Sequence, residues 1–438
     1  MAYTYSGVTG LKAFIIKFPF MKEWKEYKLE DICTKITDGA HSSPIAQVFG
    51  YPMFSVKDML EYGFDYSKCK YISQEDFIAL KKSGCVPQKG DVLVAKDGSY
   101  LKQIFVCKET KDEAILSSIA IFRPNSLVDS YFLNYLLKSP HVYNYIANNC
   151  VSGSALPRIV LKNFKAIKLS IPSFETQTKI VSVLKVLDVK IEVNRRTNDN
   201  LEQQAQALFK SWFVDFEPFK NGEFVECELG MIPKGWKVES LSSIAEYVNG
   251  LAMQKYRPND GEVGLPVLKI KELGQGICDT NSELCSPSQI GEKYIIDDGD
   301  IIFSWSGTLM VKVWCGGKCG LNQHLFVVKP NNRPKWFVYL WTKHHLDKFV
   351  RIAKDKAVTM GHIKRGELDK AKVLIPSLEN MNMIDPIMKS IHEKIIKTEL
   401  QTRILSTLRD TLLPKLMSGE LRVPDSDLIN EMLDKGIR

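Results

Sequence analysis

One pattern occurs twice in this chain, nearly half the chain length apart. The first copy, FGYPMFSVKDM, spans residues 49–59, and the second, VGLPVLKIKEL, spans residues 263–273. Each copy reads Gly-x-Pro, then alternating apolar and polar positions, then a lysine (Lys57 or Lys271) that is followed by an acidic residue. A repeat at such a distance indicates two copies of one structural unit rather than a short-period solenoid.

The repeat extends well beyond this stretch, with the same order of predicted elements in both halves. Gly-Asp turns before short β-branched runs predict paired strands in each copy, and both copies close on the triplet Ile-Pro-Ser. The loops differ between the copies, which predicts one scaffold that carries two different surfaces. The matching segments are 24–39 with 236–250, 89–99 with 298–308, 121–125 with 327–331, 130–137 with 335–342, and 155–173 with 359–377.

After each Ile-Pro-Ser, apolar residues recur at alternating steps of four and three, which is the rhythm of a coiled-coil seam. The first seam contains Ile180, Leu184, Leu187, Ile191, Asn194, Asn198, Leu201, Ala205, Leu208 and Trp212. The second contains Ile384, Met388, Ile391, Ile395, Thr398, Thr402, Leu405, Arg409, Leu412 and Leu416. Both seams are polar at the middle, which predicts antiparallel pairing with the two midpoints in contact. The alternative is that each helix packs only on its own globular domain.

These patterns predict an α+β fold with an internal tandem repeat, in which two globular α/β domains are separated by two long helices that pair as an antiparallel coiled coil. A helix of about 40 residues is roughly 60 Å long. Two different domains at a fixed separation suit a target with two recognition elements, such as duplex DNA. The predicted boundaries are an N-terminal arm at 1–22, the first domain at 23–173, the first long helix at 174–217, a linker at 218–234, the second domain at 235–377, the second long helix at 378–421 and a tail at 422–438.

Composition adds only weak constraints. The net charge of +8 favours a polyanionic partner without identifying one. We predict a cytoplasmic protein, because the apolar stretch near the start is interrupted by Lys17 and Pro19 and resembles neither a signal peptide nor a membrane span. The ten irregularly spaced cysteines predict reduced thiols. Cys315 and Cys319, in CGGKC, suit a glycine-rich hairpin turn better than a zinc site.

Four further segments resemble the specificity subunits of type I restriction-modification enzymes, and the resemblance covers the chain from Trp24 to Leu421. It implies two target-recognition domains, each reading one half of a bipartite double-stranded DNA sequence, and helices that hold the spacer length. It also implies no catalysis by this chain, two methyltransferase partners that use S-adenosylmethionine, and a complex that can add ATP- and Mg-dependent translocase and restriction subunits. Residues 1–22 depart from the family pattern and receive no function. The segments are 152–194, LFKSWFVDFEP at 208–218, IPKGWKVESLSSIA at 232–245 and LLPKLMSGEL at 412–421.

Two alternatives from other classes stay open at this point, a fused methyltransferase or nuclease with its own specificity domains and a coiled-coil scaffold that binds only proteins. The run GQGICD at 274–279 lacks the third glycine of a cofactor loop. A nuclease needs clustered carboxylates, and Asp297, Asp298 and Asp300 form such a cluster, but a solvated turn also explains them. The pair His344 and His345 lies on a predicted helix, where packing or surface exposure is the simpler interpretation.

Candidate DNA-binding residues lie where the two scaffolds match but the loop chemistry differs. Lys57 and Lys271 are equivalent in the two copies and suit phosphate contacts, which position a protein without specifying sequence. The first-domain candidates are Lys96, Asp97, Ser99, Tyr100, Lys102, Ser154 and Arg158. The second-domain candidates are Trp305, Ser306, Thr308, Lys312, Asn322, His324, His362 and Lys364.

The end of the first long helix carries more aromatic surface than a two-helix seam can cover. Such surface usually marks an interface, so we predict that it binds the methyltransferase partner. The alternative is that these rings cap the coiled coil. The residues are Leu208, Phe209, Trp212, Phe213 and Phe216.

Overall fold

The computed structural model describes residues 24–97, 103–152, 158–355 and 361–424, together with the short strand at 16–17; only the backbone is described at 16–17 and 152. The chain divides into two compact units. The first comprises Met1–Glu192 and Leu405–Arg438, and the second comprises Val193–Ile404. Each unit therefore contains one copy of the repeat together with a segment of each long helix.

The four core strands, the two helices that follow them and the long helix come in the same order in the two copies, whereas a helix at Gln74–Lys82 occurs in the first copy and a strand at Ile295–Ile296 in the second. The α-helices are α1 (Gln74–Lys82), α2 (Ser130–Lys138), α3 (Pro140–Asn149), α4 (Leu161–Lys165), α5 (Phe174–Phe213), α6 (Leu241–Ile244), α7 (Ile270–Gln275), α8 (Lys335–His344), α9 (Leu346–Asp355), α10 (Gly366–Lys370) and α11 (Leu378–Met417). The strands of the first half are β1 (Ile16–Lys17), β2 (Lys25–Lys28), β3 (Cys33–Asp38), β4 (Tyr51–Phe54), β5 (Lys70–Ile72), β6 (Val92–Ala95), β7 (Ile104–Val106), β8 (Ala114–Ile115), β9 (Ile119–Pro124), β10 (Val151–Ser152), β11 (Arg158–Ile159) and β12 (Lys168–Ile171). Those of the second half are β13 (Phe224–Cys227), β14 (Gly230–Pro233), β15 (Lys237–Ser240), β16 (Ala245–Asn249), β17 (Leu265–Leu268), β18 (Leu284–Cys285), β19 (Ile295–Ile296), β20 (Ile301–Ser304), β21 (Met310–Val313), β22 (Cys319–Leu321), β23 (Leu325–Pro330), β24 (Lys372–Ile375) and β25 (Leu421–Arg422).

The first domain is built on a four-stranded antiparallel sheet in the order β3-β9-β6-β7. A smaller sheet, β5-β4-β8, covers one face, and α2 packs on the other. The strand β6 is buried on both faces: Val92 and Val94 belong to the cluster that contains Phe132 of α2, and Leu93 and Ala95 belong to the cluster on the opposite face. This double burial explains why β6 reads as an unbroken apolar run.

The second domain repeats this arrangement with the sheet order β16-β23-β20-β21. Its central strand β20 is likewise buried on both faces, with Ile301 and Phe303 in one cluster and Ile302 in the other. Its second sheet, β18-β17-β22-β19, contains a parallel pair, β17 with β22, like the pair β4 with β8 of the first domain. The prediction of two copies of one α/β scaffold is confirmed.

The repeat reaches individual backbone hydrogen bonds. In the first domain the amide of Gly39 donates to Ile119 O at 3.2 Å, and in the second the amide of Gly250 donates to Leu325 O at 3.0 Å. A Cβ atom at either glycine would overlap a neighbouring carbonyl, that of Ile115 or of Asn322. Glycine is therefore required here for close approach of two backbone segments.

The helices α5 and α11 are each 40 residues long, and both begin directly after an Ile-Pro-Ser triplet. In the first unit Leu184, near the start of α5, shares a buried cluster with Leu412, near the end of α11. In the second unit Phe209, near the end of α5, shares a cluster with Ile384, near the start of α11. Early residues of one helix thus meet late residues of the other, which confirms the antiparallel coiled coil.

The middle of the seam is polar, as predicted, and its side chains bond across the pair. Asn194 Nδ2 donates to Gln401 Oε1 at 3.0 Å. Asn198 Nδ2 donates to Glu399 Oε2 at 3.0 Å and to Ile395 O at 3.3 Å. A shift of either helix along the other would leave these buried amides without partners, so they fix the register.

Each unit also ties its domain to the helices through polar groups. In the first unit Arg409 of α11 donates to Glu61 Oε1 at 2.6 Å, Tyr62 OH at 2.9 Å and Asp188 Oδ1 at 3.0 Å. Tyr135 OH of α2 donates to the other oxygen of Asp188 at 2.6 Å. The heptad position of Arg409 predicts a seam residue, and its bonds to Glu61 and Tyr62 also join α11 to the first domain.

In the second unit the corresponding junction contains a buried histidine. His392 is 8% exposed, its ring lies 5.8 Å from that of Tyr339, and its Nε2 has no hydrogen-bond partner. Tyr339 OH donates to Glu202 Oε1 at 3.0 Å. Burial lowers the pKa of His392 to about 4; the charge of Glu202 opposes this shift and that of Lys335 reinforces it.

This pKa predicts that acid destabilises the second unit. An unfolded histidine titrates near 6.5, so the unfolded state binds more protons as the pH falls from about 6.5 to about 4, and stability is lost across that window at up to roughly 1.4 kcal/mol per pH unit. The substitution His392→Phe should reduce this loss in urea denaturation followed by tryptophan fluorescence, since six of the seven tryptophans lie in the second unit. An equal slope in His392→Phe and wild type would contradict the assignment.

Candidate nucleic-acid interface

The two copies place different side chains on one backbone framework where the central strand ends. In the first domain Asp97, two residues after β6, forms an isolated bridge with Arg158. In the second domain Ser306, two residues after β20, forms the equivalent bridge with His362. We call each of these places the strand-end site. The structure thereby brings together residues that are more than 50 positions apart in the sequence.

The strand-end site of the first domain is charged. Lys96 Nζ lies 2.6 Å from Asp38 Oδ2, and His41 Nε2 lies 3.2 Å from Asp38 Oδ1. Arg158 Nε lies 3.0 Å from Asp97 Oδ1, and its Nη2 donates to Ser117 Oγ at 3.2 Å. The guanidinium of Arg158 is about half exposed. Its exposed part can face a ligand.

The strand-end site of the second domain is aromatic. Trp305 occupies the position of Lys96, and its Nε1 donates to Asn249 Oδ1 at 2.9 Å, as Lys96 does to Asp38. The backbone is held identically: Lys96 N donates to Ser118 O at 3.0 Å, and Trp305 N donates to His324 O at 3.4 Å. The buried ion pair of the first domain is thus replaced in the second by a hydrogen bond from the Trp305 indole to the side-chain amide of Asn249, on the same backbone framework.

Two histidines flank the Trp305 ring, each with its centroid 6.3 Å from that of the indole. His324 Nδ1 lies 3.0 Å from Ser306 Oγ. The backbone next to His362 is fixed because Ile363 N donates to Trp305 O at 3.2 Å. The predicted residues Trp305, Ser306, His324 and His362 therefore form one cluster. Ser306 is 4% exposed and supports the cluster, while the other three offer ring faces and polar atoms to base edges and phosphates.

The buried residue Asn322 supports this cluster. Asn322 is buried, and its Oδ1 accepts from His324 N at 3.2 Å, while its own amide donates to Leu268 O at 3.1 Å. The structure therefore places Asn322, which the sequence suggested as a DNA contact, under the site as a support for His324.

A comparison with known proteins gives the family. The family described as "Type I restriction modification DNA specificity domain" matches residues 21–203 and again residues 233–407. The two matches cover most of the chain and reproduce the two halves of the repeat. The chain belongs to the type I restriction-modification specificity family.

Individual relatives agree in length. The MjaIX specificity subunit of Methanocaldococcus jannaschii is 28% identical over 417 residues, which cover 92% of this chain and 95% of that protein. The HindI specificity subunit of Haemophilus influenzae is 25% identical, over 92% of this chain and 100% of that protein. The crystal structure of a type I S subunit from M. genitalium has the same fold, with a TM-score of 0.53, 15% identity, and coverage of 94% of this chain and 98% of that one.

The remaining predicted DNA contacts are scattered around the two strand-end sites. Lys57, Thr308 and Lys364 are exposed, and Lys271 is exposed with its Nζ 3.9 Å from Glu272 Oε1. Lys312 Nζ donates to Gly274 O at 2.8 Å, and burial lowers the pKa of this lysine against the opposing charge of Glu399. Four predicted contacts lie outside the described residues: Ser99, Tyr100, Lys102 and Ser154.

Two sequence-based predictions need correction. Lys96 is 3% exposed and committed to its ion pair with Asp38, so the structure gives it a supporting role instead of a base contact. Phe209 and Phe213 are buried, and Phe213 packs on Trp236 and Phe337 of the second domain, so they belong to the core of the second unit. Of the predicted partner surface, Leu208, Trp212 and Phe216 are partly exposed.

The carboxylate cluster that suggested a nuclease has structural contacts. Asp298 forms a two-point ion pair with Arg403 of α11, at 2.6 and 2.8 Å. Asp300 Oδ2 accepts from Asp297 N at 3.0 Å and so closes the turn before β20. Across the described ranges, no three His, Cys, Asp or Glu side chains are grouped so that they could hold a metal ion.

The two histidines at the end of α8 differ in exposure: His344, the last helix residue, is exposed, and His345, which follows the helix, is partly buried. His345 Nε2 lies 2.8 Å from Lys372 O, and burial lowers the pKa of His345 to about 4.

None of the described helices is both long enough and apolar enough to span a membrane.

The sequence analysis missed two apolar surfaces. Val186 and Val189 are exposed on the face of α5 that points away from the seam. Ile45, Val48 and Phe49 are exposed on the loop between β3 and β4. The three-residue step between the two valines is a signal for a second stripe on the helix, whereas no periodicity marks a loop.

The Lys96 ion pair generates a prediction about stability. The substitution Lys96→Met leaves the buried Asp38 carboxylate without its main partner, which should lower the free energy of unfolding of the first unit by about 3 kcal/mol. Urea denaturation followed by circular dichroism measures this change. The exposed Lys57→Met variant should lose less than about 0.5 kcal/mol, and the double variant Asp38→Leu with Lys96→Met should recover most of the loss. If Lys96→Met were as stable as Lys57→Met, Lys96 would be free to reach DNA after all.

Proposed function

We propose that this chain recognises a bipartite duplex DNA sequence, with each domain reading one half, and that it confers this sequence on partner subunits that do the chemistry. The observation that carries the proposal is the exchange at the strand-end sites. One framework holds Arg158 with a buried Lys96–Asp38 pair in the first domain and Trp305 with two histidines in the second. Equal frameworks with unequal donors and acceptors suit two different half-sites.

The first strand-end site offers a strong hydrogen-bond donor. Arginine commonly bonds O6 and N7 of guanine in the major groove with two parallel bonds. Arg158 is already oriented by Asp97 and Ser117, so little side-chain freedom is lost on binding. The buried Lys96–Asp38 pair contributes indirectly. It fixes the end of β6, where the next residue, Asp97, holds Arg158.

The second strand-end site offers donors, acceptors and ring faces instead of a fixed cation. His362 is exposed at the edge of the Trp305 ring, and Ser306 Oγ is paired with His324. An imidazole ring has two nitrogens that can form hydrogen bonds, so this site can match a base pattern different from that read by Arg158. Lys57 and Lys271, exposed at equivalent positions, supply phosphate contacts that orient both domains.

The helices provide the surface for the partner subunits. Relatives in this family are named as specificity subunits of restriction enzymes, which supports an assembly in which other chains supply catalysis. We place the docking of two methyltransferase subunits on the exposed apolar residues Val186 and Val189 of α5 and on the partly exposed Trp212 near the end of that helix. Those subunits would bind S-adenosylmethionine, and additional restriction subunits would use ATP and Mg.

The alternative of a fused methyltransferase or nuclease has no observation in its favour. The two family matches occupy residues 21–203 and 233–407, and the only carboxylate cluster that suggested a nuclease is engaged in the Asp298–Arg403 pair and the Asp300 turn. The scaffold alternative, in which the coiled coil binds only proteins, leaves the differing strand-end sites without a role.

Selection of bound sequences from a random duplex pool tests the proposal. The full chain, with and without a methyltransferase partner, should enrich a motif of two short specific halves around a non-specific spacer. Arg158→Gln should relax selection at one base pair of one half, by roughly tenfold or more because a two-point contact discriminates by about 1–3 kcal/mol. His362→Gln should relax only the other half.

The control for this selection is Lys57→Gln, which removes a proposed phosphate contact and should weaken binding to all sequences alike. Each variant should unfold at the wild-type urea midpoint to within experimental error, since all three side chains are exposed. Relaxation of both halves by a single substitution would contradict the assignment of one domain to one half, and enrichment of no motif would contradict the proposed function.

A further inference from the structure

One side chain of the second strand-end site was not among the predicted contacts. Gln323 lies between β22 and β23 and is partly exposed. Its Nε2 lies 3.4 Å from Nε2 of His324, the ring that flanks Trp305. Gln323 therefore belongs to the same cluster as the predicted residues of this site, although no pattern in the sequence singles it out.

The first domain has an equivalent of Gln323, which is Ser117. In each copy an isolated parallel bridge comes directly before this position, and the residue directly after it accepts a backbone hydrogen bond from the strand-end residue, Lys96 or Trp305. The bridges pair Ala40 with Leu116 and Leu251 with Asn322. The two side chains thus start from the same point of the scaffold.

In the first domain this position faces the side chain that we assign to base recognition. Arg158 Nη2 donates to Ser117 Oγ at 3.2 Å. In the second domain His362 occupies the position of Arg158 and is shorter than an arginine, whereas Gln323 occupies the position of Ser117 and is longer than a serine. The side chain with the greater reach therefore comes from the other of the two positions.

The amide of Gln323 is held at its nitrogen. The ring of His324 makes contacts through both of its nitrogens, since its Nδ1 lies 3.0 Å from Oγ of Ser306, which is 4% exposed. The backbone of His324 is also fixed, because its amide donates to Asn322 Oδ1 at 3.2 Å. A ring with these supports gives the Gln323 amide one direction, so little side-chain freedom is lost when the amide binds a ligand.

Two polar groups of this amide stay available to a ligand. The Nε2 of a glutamine carries two hydrogens, and its Oε1 is an acceptor. His324 takes at most one of these hydrogens. Among the described residues nothing donates to Gln323 Oε1. The partly exposed edge of the amide therefore presents one donor beside one acceptor.

From this arrangement we propose that Gln323 reads an adenine of the second half-site in the major groove, with Oε1 accepting from N6 and Nε2 donating to N7. Adenine presents a donor and an acceptor at these two atoms, and glutamine is one of the side chains that bond both. The inference rests on the proposed function, because it names a base for the same DNA interface.

The two domains would then read different bases from one framework. Guanine presents two acceptors, O6 and N7, which match the two donors of Arg158. At Gln323 the O6 of a guanine would face Oε1, and two acceptors do not form a hydrogen bond. We therefore expect an adenine among the bases that the second half-site specifies, at a position where guanine is rejected.

The experiment uses the full chain together with its methyltransferase partner and a duplex that carries the selected target. The analogue 7-deazaadenine, which lacks N7 but pairs normally, replaces each adenine of the second half-site in turn. At one position the replacement should weaken binding of the wild-type complex about threefold to tenfold, because it removes one of two hydrogen bonds. The variant Gln323→Ser should bind the unmodified duplex about tenfold more weakly and should lose little more with the analogue.

Two further variants make the test specific. Gln323→Glu keeps the size of the side chain but offers only acceptors, so it should shift the preference at the same base pair from adenine to cytosine, whose N4 is a donor. Gln275→Ser, which changes an exposed glutamine at the end of α7, should keep the adenine preference. The measurement with wild type and the analogue needs no variant, so it decides the matter even if Gln323→Ser lowers the urea midpoint.

The possible failures are distinguishable. If no adenine of the second half-site responded to the analogue, or if Gln323→Ser selected the same bases as the wild type, the inference would be wrong while the proposed function stood. If Gln323→Ser weakened binding to all sequences alike, Gln323 would be a phosphate contact and the inference would again be wrong. If the wild-type complex selected no motif at all, both the proposed function and the inference would fall.

Discussion

The polar middle of the helix pair is the constraint on which the rest of the architecture depends. Asn194 and Asn198 are buried and bond Gln401, Glu399 and Ile395 across the seam. Apolar residues alone would tolerate a shift by one heptad, but such a shift would leave these amides unsatisfied. One register of α5 against α11 therefore follows, and with it the positions at which helix residues contact the domain of their unit, such as Arg409 at Glu61.

Besides the helix pair, the chain contains one domain scaffold twice, and the functional difference between the copies lies in the side chains that the scaffold does not constrain. Backbone contacts such as those of Gly39 and Gly250 are the same in both copies. The strand-end sites differ completely in chemistry, from the Lys96–Asp38 ion pair to the Trp305–Asn249 hydrogen bond. This division suits a protein that must present two different surfaces in a constant geometry.

Patterns that repeat with a period could be predicted from the sequence, and contacts between distant residues could not. The duplicated scaffold and the heptads gave the helix pair and its polar middle, because periodicity reports which face is buried. The burial of Lys96 depends on Asp38, far earlier in the chain, and that of Phe213 on Trp236 and Phe337. The exposed Ile45, Val48 and Phe49 on the loop between β3 and β4 could not be predicted, because the exposure of a loop follows from tertiary structure and has no period.

We propose that the paired helices set the distance between the two half-sites. Mapping of methylated positions across a genome tests it, in strains that carry either the wild-type chain or a chain with four residues inserted in both helices, after Glu192 and after Ile404, where the chain passes between the units. Four residues lengthen a helix by about 6 Å, and a base pair rises about 3.4 Å. We expect both chains to give a bipartite motif with the same two halves, and the inserted chain to have a spacer longer by about one or two base pairs. A continuous motif in the wild type, or an unchanged spacer in an inserted chain that still methylates, would contradict it.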